Sequence, residues 1–468
     1  MKIVNLLFAV LFFAATAQAG ETAAANDPVA GKVGYMSGTL VAQRADGTVQ
    51  VLGSKSNVLA GDMLITSKDS YAQIQMNDGA KVTLRPNSNL RIESFKFNKE
   101  EPSADNAVFR LMKGGFRTVT GLIGKRGNAD AYQLHAAAST IGIRGTDFSS
   151  RLCATQDCQD DESDKSRQAA KPAAPQPQVV GRVMLVQGEL SAKDLSGKVR
   201  PLTLGGPVYE GDQLITGSKS NAVVAFRDEG RITLQENSLF HVEKFKYDKA
   251  AAQETAVLRL LKGGVRVVTG LIGRVNHDNY QFHMATSTIG IRGTGFDAWC
   301  NGPCASGSAN PGATDAHPQD GAGVFVWSGE VQLATPQGAF NVGMQQMGIV
   351  SRDSGTPIPV RQVPANVMNN NVPRPDSVPV DMDKAFGSQN SAGEPGLYVT
   401  VHDGHVILAQ GEKSIDLGRS ETGFSGTTVL TRLASTPSFM GGEKSVNSLG
   451  GNSSSKNPSV NPSGCAVQ

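Results

Sequence analysis

The residues of this chain best suited to gripping a charged group are arginines that recur at the same place in a repeated frame. Arg110 and Arg117 lie in AVFRLMKGGFRTVTGLIG, and Arg259 and Arg266 lie in its repeat, AVLRLLKGGVRVVTGLIG. Arg144 and Arg292 occupy the matching place in YQLHAAASTIGIRGTDF and YQFHMATSTIGIRGTGF. A guanidinium offers a planar fork that fits a carboxylate or phosphate through two hydrogen bonds. The recurring arginines therefore allow two readings. They line a cationic binding cleft, or they bridge internally to acids that also recur: Asp62 and Asp212, Asp78 and Asp228, Glu93 and Glu243. Internal bridging is the simpler expectation, because a buried arginine is nearly always paired.

Other chemistry is sparse. The chain has five cysteines, and Cys153 with Cys158, like Cys300 with Cys304, closes a short loop just after each IGIRGT strand. Two local disulfides in an oxidising compartment are expected, with Cys465 left over. A zinc site shared by the four loop cysteines is the rival, but short CxxC spacing is missing. His135 and His283 recur without a second ligand at useful spacing, so no metal and no cofactor is expected. Asp62 and Asp212 follow a glycine just before a strand, where an aspartate stabilises a turn. No phosphate loop, dinucleotide fingerprint, GxSxG elbow or HExxH helix occurs, which argues against an enzyme.

These residues need a scaffold, and the repeat defines it. Two bodies recur with a period of roughly 150 residues, so the unit of duplication is a domain. The chain has 468 residues, with 53 glycines, 6% aromatic residues and a formal net charge of +2. That charge gives no basis for nucleic acid as a partner. Short alternating apolar runs separated by Gly, Asn and Asp predict an all-β protein of two homologous sandwich or barrel-like domains. Within the best-kept stretch, Gly114-Gly115 predicts a two-residue hairpin turn, with Arg110, Met112, Arg117 and Val119 sharing one face of a strand pair covered on both sides.

The copies are unequal at their ends. The second continues into GVFVWSGEVQL and FNVGMQQMGIV, whereas similar segments, YVTVHDGHVIL and IDLGRSETGF, appear much later. Aligned on Ser328-Gly329 and Asp403-Gly404, they match Val331 with Val406, Leu333 with Leu408, Gly343 with Gly418 and Gly348 with Gly423. The expected order is therefore a second domain inserted into a loop of the first. The boundaries read as a signal peptide at 1–19, a first body at 28–158, a linker at 159–178 and the inserted unit at 179–372. A second linker follows at 373–395, then strands completing the first unit at 396–436 and a Ser/Asn-rich disordered tail at 437–468.

Lys2, an apolar run and Ala17-Gln18-Ala19 predict an exported chain cleaved after Ala19, periplasmic or secreted. No later run approaches the roughly 20 apolar residues of a membrane span. VLRLLKGGVRVVTG, STIGIRGTGF and STIGIRGTDF, with LYVTVHDGHVIL and IDLGRSETGF, resemble the FecR-domain family of bacterial cell-envelope proteins. That resemblance implies an all-β periplasmic domain for interaction or signalling, with no catalytic residue to carry over. The best-studied members of that family are single-pass regulators linking an outer-membrane transporter to a sigma factor, and only the periplasmic half of that role carries over. The expected function is a non-catalytic periplasmic binding or signalling module contacting an envelope protein or polymer. A structural envelope or surface protein and a carbohydrate-directed enzyme are the alternatives.

Overall fold

Runs of Val, Ile, Leu and Thr with a period of two cannot bury one face as helices, and the backbone follows that period. The computed structural model describes residues 28–126, 130–154, 158, 178–247, 254–285, 287–291, 293–302, 304, 320–368, 371–387 and 393–441, apart from the side chains of 144 and 366. The expected signal peptide, Cys465 and nearly all of the 159–178 linker lie outside these residues.

The structure is all-β, with the strands in two separate hydrogen-bonded sets. In the second unit, one sheet contains Val179–Gln187, Asn221–Phe226, Arg231–Leu234, Gly295–Asn301, Gly321–Ser328 and Met347–Val350. The facing sheet contains Leu190–Lys193, Gln213–Thr216, Leu239–Lys246, Tyr280–His283, Thr288–Ile291 and Val331–Thr335. Thr255–Val268 belongs to both. Its first half pairs with Leu239–Lys246, and its second half pairs with Arg231–Leu234 and Gly295–Asn301. Asn106–Val119 does the same in the first unit.

This overturns the expected hairpin at Gly114-Gly115. Each glycine pair is a corner at which one continuous strand passes from sheet to sheet, a known use of strand glycine. Gly114 has φ +71° and Gly263 has φ +85°. A Cβ on Gly114 would lie 2.5 Å from Ser88 Oγ and 2.6 Å from the Asn87 carbonyl oxygen. The buried Ser88 hydroxyl fastens the corner, donating to the Gly115 carbonyl at 2.8 Å and accepting from its N–H at 2.9 Å. Ser238 repeats this on Gly264 at 2.9 and 3.0 Å. The outer face is also less covered than expected, since Met112 is 51% and Val119 41% exposed.

Far downstream, Gly396–Gln410 pairs antiparallel with Ser139–Cys153, with Ile143 opposite Val406, Phe148 opposite Val401 and Cys153 opposite Gly396. Lys413–Gly418 and Thr422–Ser425 extend that pairing. Leu397, Val399, Val401, Val406, Leu408 and Leu417 are buried in one core with Leu40, Ile74, Phe109 and Phe148. The equivalent residues Val324, Val326, Val331, Leu333 and Val342 bury in the core of the second unit.

Two segments read as spacer or tail are packed. Within 373–395, Met382–Phe386 is a short helix capped by Asp381, and its Ala385 and Phe386 bury against Val179 and Tyr209. Arg374 stacks 3.9 Å over Trp327, and the carbonyls of Pro373 and Val378 accept from Thr233 and Arg231. At the other boundary, Phe439 and Met440 bury with Tyr398, Phe424 and the Cys153–Cys158 pair, so 437–441 is part of the body. Polar composition hid a few anchoring apolar side chains in both places.

Candidate functional site

Each recurrent arginine whose side chain is described faces an acid on a neighbouring strand. Arg110 pairs with Glu93 and Arg259 with Glu243, and His135 Nδ1 lies 3.1 Å from Glu93 Oε2. Arg117 binds Asp147 at 2.7 and 2.8 Å, and Arg266 binds Asp297 at 3.0 Å. Asp147 aligns with Gly295, and Asp297 aligns with Ser149. The acid has therefore moved two residues along its strand, which keeps it on the same face. A search for acids at identical positions misses this pair. His283 is held by Thr288 Oγ1 at 3.1 Å. The Arg144 side chain and all of Arg292 lie outside the described residues. Both cysteine pairs are bonded, with Cα separations of 5.5 and 5.1 Å.

The turn acids also gain cations, by another migration. Asp62 accepts from the Leu59 N–H at 2.8 Å and pairs with Arg44 at 2.5 Å. Asp212 accepts from the Tyr209 N–H at 2.8 Å and pairs with Arg200 at 2.5 Å. Arg44 aligns with Asp194 and Arg200 with Gln50, so the cation has crossed from one strand of a hairpin to the other. Burial pulls the Arg200 guanidinium toward neutrality, but Asp212 outweighs it and holds the cation above its ordinary value.

Arg200 leads to the feature the recurrent residues did not reveal. A cleft of about 570 Å³ runs between the two strand sets. One wall is the turn at Asp194 and Lys198 with the strand Val199–Pro201, continuing through Leu202 and Thr203 to Gly206, Pro207 and Tyr209. Gly124, Lys125, Gly145, Asp403, Gly404, His405, Asp416 and Arg419 form the other. Arg110, Arg117, Arg259 and Arg266 do not line it. The Tyr209 ring receives two guanidinium groups, Arg200 at 5.1 Å from its own unit and Arg419 at 5.6 Å from the opposite wall. Arg419 Nε lies 3.5 Å from Asp403 and His405 Nδ1 lies 3.3 Å from Asp416. Lys125 and Lys198 are exposed at the rim, and among the described residues neither has a carboxylate within ion-pair reach.

Beside the cleft the two sets are joined by a buried polar seam. Arg182 is 1% exposed and Glu421 8%. Their side chains form an ion pair, and Arg182 Nη1 also donates to the Gly205 carbonyl and, at 3.1 Å, to that of Asp416. Glu421 Oε2 accepts from the Gly418 N–H at 2.8 Å. Arg432 donates to the Asp416 carbonyl at 2.8 and 3.2 Å, and burial, with Arg182 nearby, pulls its guanidinium down to about 10. Burying charged side chains this deep is costly unless they are paired and hydrogen-bonded, as these are to one another and to backbone carbonyls.

The site can hold a charged or polar group between cations and an aromatic ring. Among the described residues, its lining shows no nucleophile aligned on a base. Among the described residues, no three His, Cys, Asp or Glu side chains converge as metal ligands, and no helix is long and apolar enough to cross a membrane.

Fold and cleft together define a two-unit all-β protein whose units meet along a charged seam. The family described as FecR protein matches twice, at residues 62–162 and 212–332, so the chain carries two copies of the FecR domain. No curated protein matches the sequence. Two solved structures of a candidate anti-sigma factor from Parabacteroides distasonis ATCC 8503 share 11% and 10% identity with it, at TM-scores of 0.24 and 0.25. Each match covers 33% of this chain and 62% of the other.

Proposed function

We propose that the protein is a non-catalytic FecR-domain binding or signalling module that works outside the cytoplasm, contacting an envelope protein or polymer through the cleft between its units. The observation that carries this reading is the cleft itself. Both units contribute to it, and its rim holds Lys125 and Lys198 without an internal counter-charge among the described residues. The bonded cysteine pairs fit an oxidising compartment. We further propose that the second domain is inserted into a loop of the first. The pairing of Gly396–Gln410 with Ser139–Cys153 supports this order.

Cross-linking the mature protein in intact envelopes, then purifying it, tests the function. The wild type is expected in the periplasmic fraction with a discrete companion that Lys125→Glu/Lys198→Glu loses while melting unchanged. The same companions on both proteins would remove the cleft from the account. A cytoplasmic location would remove the proposed setting. The recurrent arginines remain a second candidate surface. Loss of the companion in Arg110→Ala or Arg259→Ala, with stability kept, would favour them instead.

A further inference from the structure

The seam joins two different faces of one fold. The second unit contributes the face around Arg182 and Tyr209, and the first contributes the face around Arg419 and Glu421. Since the units are homologous, each carries both faces, and one of each remains uncovered.

The uncovered counterparts follow from sequence and backbone. Lys32 stands where Arg182 stands, as VAGKV repeats as VVGRV, and Leu59 stands for Tyr209. Gln346 stands for Glu421. The Gly343 N–H donates to Gln346 Oε1 at 2.9 Å, as the Gly418 N–H donates to Glu421. The residue before each is left-handed, with φ 60° at Gln345 and 65° at Ser420. Met344 thus stands for Arg419. Arg182 and Glu421 are buried, whereas Lys32 and Gln346 are exposed and Met344 is 63% exposed.

The substitutions stay complementary in pairs. Arg182 on Glu421 would become Lys32 on Gln346, a cationic donor on a carboxamide whose oxygen accepts from the Gly343 N–H and keeps a second lone pair. Arg419 over the Tyr209 ring becomes Met344 facing Leu59, a cation–π contact exchanged for an apolar one. Had these faces drifted freely in solvent, such matched exchange would not be expected.

We infer that the two open faces bind each other in different molecules, so that the chain associates head to tail with further copies of itself in the geometry that joins its own units. Such a contact is heterologous. Each added copy presents both faces again, giving open chains or closed rings. A Lys–Gln contact lacks the charge pair of the internal seam, so association is weaker than the internal docking.

Sedimentation of the mature protein over a concentration series tests this. Mass should rise with concentration in the wild type. Lys32→Arg/Gln346→Glu, which rebuilds the internal ion pair between molecules, should associate ~10-fold more tightly. Met344→Asp, at an exposed position, should associate ~10-fold more weakly because it places a charge against Leu59. A wild type and rebuilt variant that both remain monomeric at every concentration, or a Met344→Asp protein that associates like wild type, would overturn the proposal.

Discussion

The first unit holds Lys32 in solvent at the position where the second holds Arg182 at 1% exposure, and the first buries Glu421 where the second exposes Gln346. The two copies share a body and differ where they touch. Positions inside a β-sandwich keep their character because both copies fill the same core. Surface positions depend on what covers them, and here one copy covers the other. The difference between the units therefore marks the seam more clearly than their identity does.

The largest break in this comparison comes from removing one side of the seam. Truncation before Gly396 takes Leu397, Val399, Val401, Val406, Leu408 and Leu417 out of the first core. At about 1.5–3 kcal/mol for each large apolar side chain, that loss is as large as the whole stability of an ordinary domain, about 5–15 kcal/mol. The first unit should unfold or aggregate through Ser139–Cys153, whose pairing edge would be bare, while the second unit keeps its own melting transition. Calorimetry resolves the two transitions.

A smaller break separates the equivalent cations. Arg182→Ala leaves Glu421 buried without its partner and should cost roughly 3–5 kcal/mol, whereas Lys32→Ala, at an exposed position, should change stability by less than about 0.5 kcal/mol. Equal effects in denaturant titrations would show that the seam does not distinguish the copies.

Acidification should move the units differently. Burial pushes the Asp228 carboxyl up to about 6, so the folded second unit binds a proton that its unfolded chain has released; its stability falls as pH rises from about 4 through 6. Asp78 moves in the same direction in the first unit, again through burial. Burial takes His402, which is bonded to Ser149 Oγ, down to about 4, with the Arg117 cation acting in the same sense. Its contribution runs the other way: present above about 6.5 and lost as pH falls toward 4. Asp228→Asn should flatten the profile of the second transition, and His402→Asn that of the first.

The smallest effect belongs to the disulfides. Cys153–Cys158 and Cys300–Cys304 span separations of five and four residues. Reducing them should cost each unit less than the roughly 3 kcal/mol of a 15-residue loop. Thermal melts with and without reductant check this.

Much of the fold was legible because periodic burial and duplication write themselves into the sequence. Alternating runs foretold strands, and the short Cys loops foretold the bonded pairs. Glu93 with Arg110 and Glu243 with Arg259 could be read because both partners recur. Asp147 and Asp297 could not, since two residues along a strand lead to the same face and the pair survives while its position changes. Gly114-Gly115 misled because positive φ serves a corner as readily as a turn. The cleft was invisible for a stronger reason. Arg182, Tyr209, Arg419 and Glu421 occupy positions where the copies differ, so attention to retained residues leads away from the seam.

The central claim is that one unit is built from chain segments on either side of the other. Removing 159–394 and joining the ends with a short flexible linker tests it directly, because Cys153 and Gly396 are already opposite each other across the strand pair. The expected product is a folded all-β protein with a single cooperative transition and protected amides along Gly396–Gln410. A chain that is unfolded, or in which those amides exchange freely while 28–153 stays folded, would contradict it.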